Sequence, residues 1–142
     1  MANIIPDAFK EELLKGTHNF ASSGGDSFKL ALYTDISGLT ASTTAFTTTN
    51  EVSTSGTNYT SGGNALTNSG VSTASNTAFI DFADLTFSSV TLSAVGAMIY
   101  NDDNSDKICL ILDFGGTKTA TNGDFIIQFP AAGASTAIFR IA

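Results

Sequence analysis

A chain of 142 residues that is 42% hydrophobic and 13% charged is long enough for one domain with a real core and too apolar to stay disordered. Its net charge of −7, with 6 basic residues scattered along the sequence, supplies no patch to replace the counterions of a phosphate backbone, so neither nucleic acid nor an anionic membrane is an expected partner. A single cysteine excludes an intramolecular disulfide, and no window approaches the roughly 18 apolar residues of a membrane span.

The start, MANIIPDAFKEE, lacks the cationic opening and long apolar run of a secretion signal, which predicts a soluble protein made in the cytoplasm. Residues 6–15 form the one good helix. Pro6 suits its first position, Asp7, Glu11 and Glu12 lie toward its positive end, and Gly16 stops it. Phe9 and Leu13 make an apolar stripe that Ile5 extends backwards. A helix of about ten residues is unstable alone and must dock, either on its own sheet or on a neighbouring subunit. Residues 17–26 read as loop, and the lone His18 within it as a solvated side chain. Residues 27–33 alternate Phe28, Leu30 and Leu32 against Lys29, Ala31 and Tyr33, a half-buried strand, and residues 34–38 turn the chain.

From Leu39 to Ser75 the composition shifts to Thr, Ser, Asn and Gly, broken by Phe46, Val52, Tyr59, Leu66 and Val71. Short strands in a long excursion fit this pattern, with turns at Gly62-Gly63 and Gly70. TAFIDF (77–82) is a strand, and residues 85–92 are another. The most apolar stretch follows. Residues 95–100 and 107–114 read as two strands joined by the polar turn 101–106. Because both carry apolar residues on both faces, the pair is expected at the centre of a sheet covered on each side, with Cys109 as a small buried hydrophobe. Residues 115–123 read as a polar connection ending in the tight-turn pair Asn122-Gly123. Strands at 125–129 and 136–141 close the chain. Roughly seven to nine short strands and one helix predict an all-β, single-domain antiparallel sandwich, jelly-roll-like or immunoglobulin-like, with a short N-terminal α-helix. The chain divides into an N-terminal arm and helix (1–16) and the sandwich (17–142).

Several motifs invite chemistry. Asp102, Asn104, Asp106 and Asp113 have the spacing of a calcium loop, but Lys107 stands where the loop needs Gly, and no flanking helices are expected. Asp113-Phe114-Gly115-Gly116-Thr117-Lys118 contains D-F-G and resembles the phosphate turn of actin-like sugar kinases, without the rest of either fold. Asp81, Asp84, Asp113 and Asp124 offer carboxylates, yet nothing in the sequence brings two together. No catalytic residue, cofactor or metal ligand is assigned.

Taken in order, FKEELLKG, FKLALYT, TNEVSTSGTNYTSGGNAL, TAFIDFADLTFSSVTLSAVGAMIYN and LDFGGTKTATNGDFIIQFP resemble small virion proteins of tailed bacteriophages, cyanophages among them. The most specific pieces are Glu51-Val52 with Tyr59-x-x-Gly62-Gly63, Gly96-Ala97-x-Ile99-Tyr100, and Asp113-Phe114-Gly115-Gly116 leading to Asn122-Gly123-Asp124-Phe125. The resemblance implies a non-enzymatic virion structural protein, best read as a capsid decoration or cement protein on the capsid surface. Its partners would be the major capsid protein and copies of itself in a homotrimer, joined through roughly 800 Å² per partner. Ile4, Ile5, Phe9, Leu13, Phe46 and Tyr59 are the expected assembly contacts. A tail component (tube, adaptor or fibre-base subunit) is the alternative. A host-surface carbohydrate-binding module is disfavoured by 0 Trp and 3 Tyr, and a small hydrolase would need a carboxylate pair.

Overall fold

In the computed structural model, which describes residues 2–142, a helix α1 (Asp7–Leu14) precedes seven strands: β1 (Phe28–Tyr33), β2 (Asn64–Ala65), β3 (Asn68–Ala74), β4 (Thr77–Phe82), β5 (Leu85–Asn101), β6 (Lys107–Ile127) and β7 (Phe139–Ile141). All pairings are antiparallel, in sheets ordered β2-β1-β5-β6 and β3-β4-β7. The expected all-β sandwich with one short helix is the fold. Its four-plus-three division has the count of an immunoglobulin constant domain, but the strand order differs.

The spine is a single ribbon of β5 (17 residues) and β6 (21 residues), paired from Leu85↔Ile127 to Asn101↔Lys107. Four strands expected to be separate are therefore pieces of two. The expected polar connection at 115–123 is the middle of β6, where Lys118, Thr119 and Ala120 oppose Ala94, Ser93 and Leu92. Asn122-Gly123 makes no tight turn. Asn122 sits at φ 46° where the register slips beside Val90, because a bulge needs left-handed backbone just as a turn does.

The apolar half of the ribbon is covered on both faces, as its sequence required. One face carries Ala97, Ile99 and Leu110, with Leu30 and Leu32 of β1 beside them, into the main core with Phe9, Phe20, Ile80, Phe82 and Phe139. The other carries Met98, Tyr100, Ile108 and Ile111, with Ala31 and Tyr33 of β1 beside them, into a second cluster, roofed by Ile36 of the 34–38 turn, by Leu39 and Phe46 of the excursion and by Ile4. The ribbon is nonetheless not central on both sides, since β6 is the edge strand. Its outer edge is padded at one end only. Ile4 and Ile111 exchange backbone bonds of 2.9 and 2.9 Å, and Ile108 N donates to Thr44 O at 3.1 Å.

Helix α1 docks on its own sheet. Phe9 is fully buried, with its ring 5.2 Å from that of Phe139 and 6.0 Å from that of Phe20. Gly16, at φ 72°, ends the helix as its composition required. Residues 2–16 thus pack as part of the sandwich; Met1, where the expected arm begins, lies outside the described residues. The terminal strand is shorter than the expected 136–141, because residues 134–138 bend before Phe139 reaches β4.

Candidate assembly surface

Five large apolar side chains are exposed, and four of them lie in one place: Ile5 (37%), Leu14 (93%), Val71 (56%) and Ile141 (55%). Register explains the gathering. Val71 pairs with Ile80, Ile80 with Phe139, and Ala78 with Ile141, so these residues share the face of the β3-β4-β7 sheet that looks toward α1. The helix covers Ile80 and Phe139 but not the margins. Between helix and β7 runs a groove of about 320 Å³ lined by Ile5, Leu13, Leu14, Phe139 and Ile141, with Lys10 and Arg140 on its rim. A smaller hollow of about 140 Å³ adjoins it beside Val71 and Phe20. Apolar residues clustered so, rather than scattered, make this the candidate interaction surface. β7 pairs with β4 alone, and among the described residues no backbone hydrogen bond is made along its other side.

The fifth exposed residue, Ile126 (54%), lies on the unpadded half of the β6 edge. A groove of about 400 Å³ runs there beside Phe114, Lys118, Asp124, Phe125 and Ile126. Lys10, Lys15, Lys29 and Lys107 are held by Asp7, Glu11, Asp102 and Glu12. Arg140 and Lys118 make no ion pair among the described residues, and each stands at one of the two grooves.

His18 is not solvated, as its loop position suggested. It is buried, with Nε2 2.7 Å from Glu12 Oε2 and Nδ1 3.0 Å from Asn101 Nδ2. A carboxylate accepts and an amide nitrogen donates, so these partners assign the ring proton to Nε2. Asn101 also donates to Asp26 (2.8 Å), and Lys107 to Glu12 (2.8 Å). Burial raises the Glu12 carboxyl, but hydrogen bonds from Lys107 and His18 and the Lys107 charge outweigh it and hold the group below the usual range. Cys109 Sγ lies 3.9 Å from His18 Nδ1, so thiol, imidazole and carboxylate stand in line. Nucleophilic work needs a reachable thiolate. Here burial, then the charges of Glu12 and Asp26, push the thiol well up, and the Asn101 amide already occupies Nδ1. The cluster ties helix, loop and ribbon together.

The other tempting residues also have local work. Asp102 faces Lys29 at 3.2 Å, and Asn104 donates to Asp26 at 3.0 Å, so the calcium-like spacing converges on no common point. Asp84 accepts from Phe129 N (2.9 Å), Asp113 from Gly115 N (2.8 Å) and Asp124 from Ser89 N (3.2 Å). Glu51, Tyr59, Gly62 and Tyr100 form a lock across the sheet edge. Glu51 accepts from Tyr59 Oη (2.8 Å), Ser61 Oγ (2.8 Å) and Gly62 N (2.6 Å), while Tyr59 Oη accepts from Leu32 N (3.0 Å) and Tyr100 Oη donates to Gly62 O (2.7 Å). Gly63, at φ 75°, comes so close to β1 that a Cβ there would lie 1.8 Å from Leu30 O.

Of the six expected contacts, Ile5 and Leu13 line the α1–β7 groove. Ile4 is half-buried against β6, and Phe46 is half-buried with its ring stacked 4.7 Å from Tyr100. Phe9 and Tyr59 are corrections. Both are buried in the subunit's own core, because the helix turns its stripe inward and the Tyr59 hydroxyl serves Glu51 and Leu32. The sequence reading missed Leu14, Val71, Ile126, Phe139, Arg140 and Ile141. Leu14 alone gave a signal, lying one step off the Phe9–Leu13 stripe. No family model, curated protein or solved structure matches this chain.

Proposed function

We propose that this chain is a structural subunit of a tailed-bacteriophage virion, and within it a capsid decoration protein that bridges major capsid subunits. The gathering of exposed apolar residues at the open margins of the sandwich carries the reading. A subunit that spends its life in an assembly can leave such surface uncovered, whereas a free monomer is penalised for it. Support also comes from the resemblance, four of whose residues, Glu51, Tyr59, Gly62 and Tyr100, form a lock that belongs to the fold.

Quantitative mass spectrometry of purified particles tests it. The proposal expects this chain on the order of hundreds of copies per particle, as a subunit repeated over a symmetric shell requires. Tens of copies would move the chain to the tail, and absence from particles would end the virion reading.

A further inference from the structure

The α1–β7 groove differs in charge from the rest of the molecule. Its lining holds 2 of the 6 basic residues, Lys10 and Arg140, and none of the 13 acidic ones, in a chain of net charge −7. Lys10 is held by Asp7 at 2.9 Å, whereas Arg140 makes no ion pair among the described residues. Alternation along β7 sorts its groups by face: Phe139 and Ile141 lie toward α1, and Arg140 on the opposite side. A strand laid along the open edge of β7 would be sorted the same way. Its alternate residues would enter the groove, and the residue between them would stand beside Arg140. The floor of Leu13, Phe139 and Ile141 calls for apolar side chains and Arg140 for a carboxylate, so one register meets both demands when an acidic residue lies between two apolar ones.

This chain has no such strand to spare. An acidic residue between two large apolar ones occurs at Ile80-Asp81-Phe82 and Leu112-Asp113-Phe114. The first lies inside the β3-β4-β7 sheet, and the outer edge of the second is held by Asn3 and Ile4. Pairing β7 with the β7 of a second copy over its three residues would set two Arg140 side chains face to face, and like charges directly opposite are destabilising.

We infer that the α1–β7 groove takes an extended segment of a different chain, in which an acidic residue lies between two apolar ones. The segment adds a strand beside β7, its apolar residues against Leu13, Leu14 and Ile141 and its carboxylate on Arg140. Backbone hydrogen bonds along the open edge supply affinity, and the groove and the arginine select the side chains. The inference rests on the assembly reading and deepens it by naming the chemistry of the segment received. It is tested without any particle, so its failure and that of the virion proposal are separable.

The test is titration of the isotopically labelled full chain with the end-capped peptide Thr-Val-Thr-Val-Glu-Val-Thr-Val-Thr, followed by amide chemical shifts, with circular dichroism confirming each variant's fold. A second peptide carries Lys in place of Glu. The Glu peptide should shift the amides of residues 10–14 and 139–141 and bind about tenfold or more tighter than the Lys peptide. Arg140→Glu should reverse that preference, because the pair is rebuilt with opposite sign. Leu14→Asp, on a side chain 93% exposed and so outside the core, should weaken both peptides without touching the fold. No binding of either peptide at up to about 1 mM, shifts confined to other parts of the chain, or a preference that Arg140→Glu leaves unchanged overturns the inference. Self-association of the free chain in sedimentation equilibrium, abolished by Leu14→Asp, would give the groove to a second copy and overturn it as well.

Discussion

The two halves of the β5–β6 ribbon are continuous backbone, yet they live in different surroundings. Toward the turn, residues 96–101 and 108–112 are buried on both faces and β5 has β1 beside it. Away from it, residues 85–94 and 118–127 form a strand ladder only with each other, with residues 57–58 bonding the far side of β5, and bury one face, with Phe87, Val90, Leu92, Phe125 and Ile127 inward and Thr86, Asp124 and Ile126 outward. The number of layers, not the strand itself, sets the composition. The first half is sandwiched by helix and second sheet on one side and by the excursion on the other; it is structural throughout. The second half has a free face and a free edge, and the exposed Ile126 is found there.

Removing the cover should have the largest effect. Deleting residues 2–16 takes Phe9 from the main core and Ile4 from the β6 edge, and should abolish cooperative unfolding, since Phe9 alone contributes about 3–5 kcal/mol against a typical total of 5–15. A truncated chain with a sharp denaturation transition near that of the full chain would show the helix to be dispensable. Adjacent substitutions then separate the halves. Met98→Ala and Ile99→Ala point to opposite clusters, and each should cost about 2–5 kcal/mol in urea unfolding. In the other half, Phe87→Ala should cost a similar amount and the neighbouring Thr86→Ala under about 0.5 kcal/mol. Equal costs at 86 and 87 would remove the distinction.

Smaller effects probe the ties around this frame. Tyr59→Phe leaves the Glu51 carboxylate and Leu32 N short of a partner and should cost about 1–2 kcal/mol by the same measurement. Glu12 is held below the usual carboxylate range in the fold, so its contribution is complete above its unfolded pKa and fades as pH falls through the folded value. Urea midpoints taken downward from neutral pH should therefore drop in acid, and Glu12→Gln should flatten that drop. An unchanged slope would mean that Lys107 and His18 do not stabilise the charged form.

Much of this was legible in the sequence. The strand at 77–82 and the helix with its glycine stop are where their patterns placed them, and the two-faced apolarity of 95–114 correctly demanded two covers. What the sequence hid was continuity. Gly115, Gly116 and Asn122 supply left-handed or glycine-only backbone, which a bulge inside a long strand uses as readily as a loop does, so β6 read as strand, connection and strand. His18 was misread because its partners Glu12 and Asn101 lie 6 and 83 residues away along the chain and only folding assembles them. The candidate surface was half visible for the same reason. Ile5 and Leu13 follow from helical spacing, whereas Val71 and Ile141 meet them only through the register of β3, β4 and β7.

The claim that the apolar margins are assembly surfaces is tested most directly by amide hydrogen exchange, comparing the free chain with the same chain in purified particles. The account predicts slower exchange on assembly in the last turn of α1, in β7 and at residues 124–127, with the doubly covered residues 96–101 slow in both states. Exchange unchanged at all three margins in the assembled chain would contradict it.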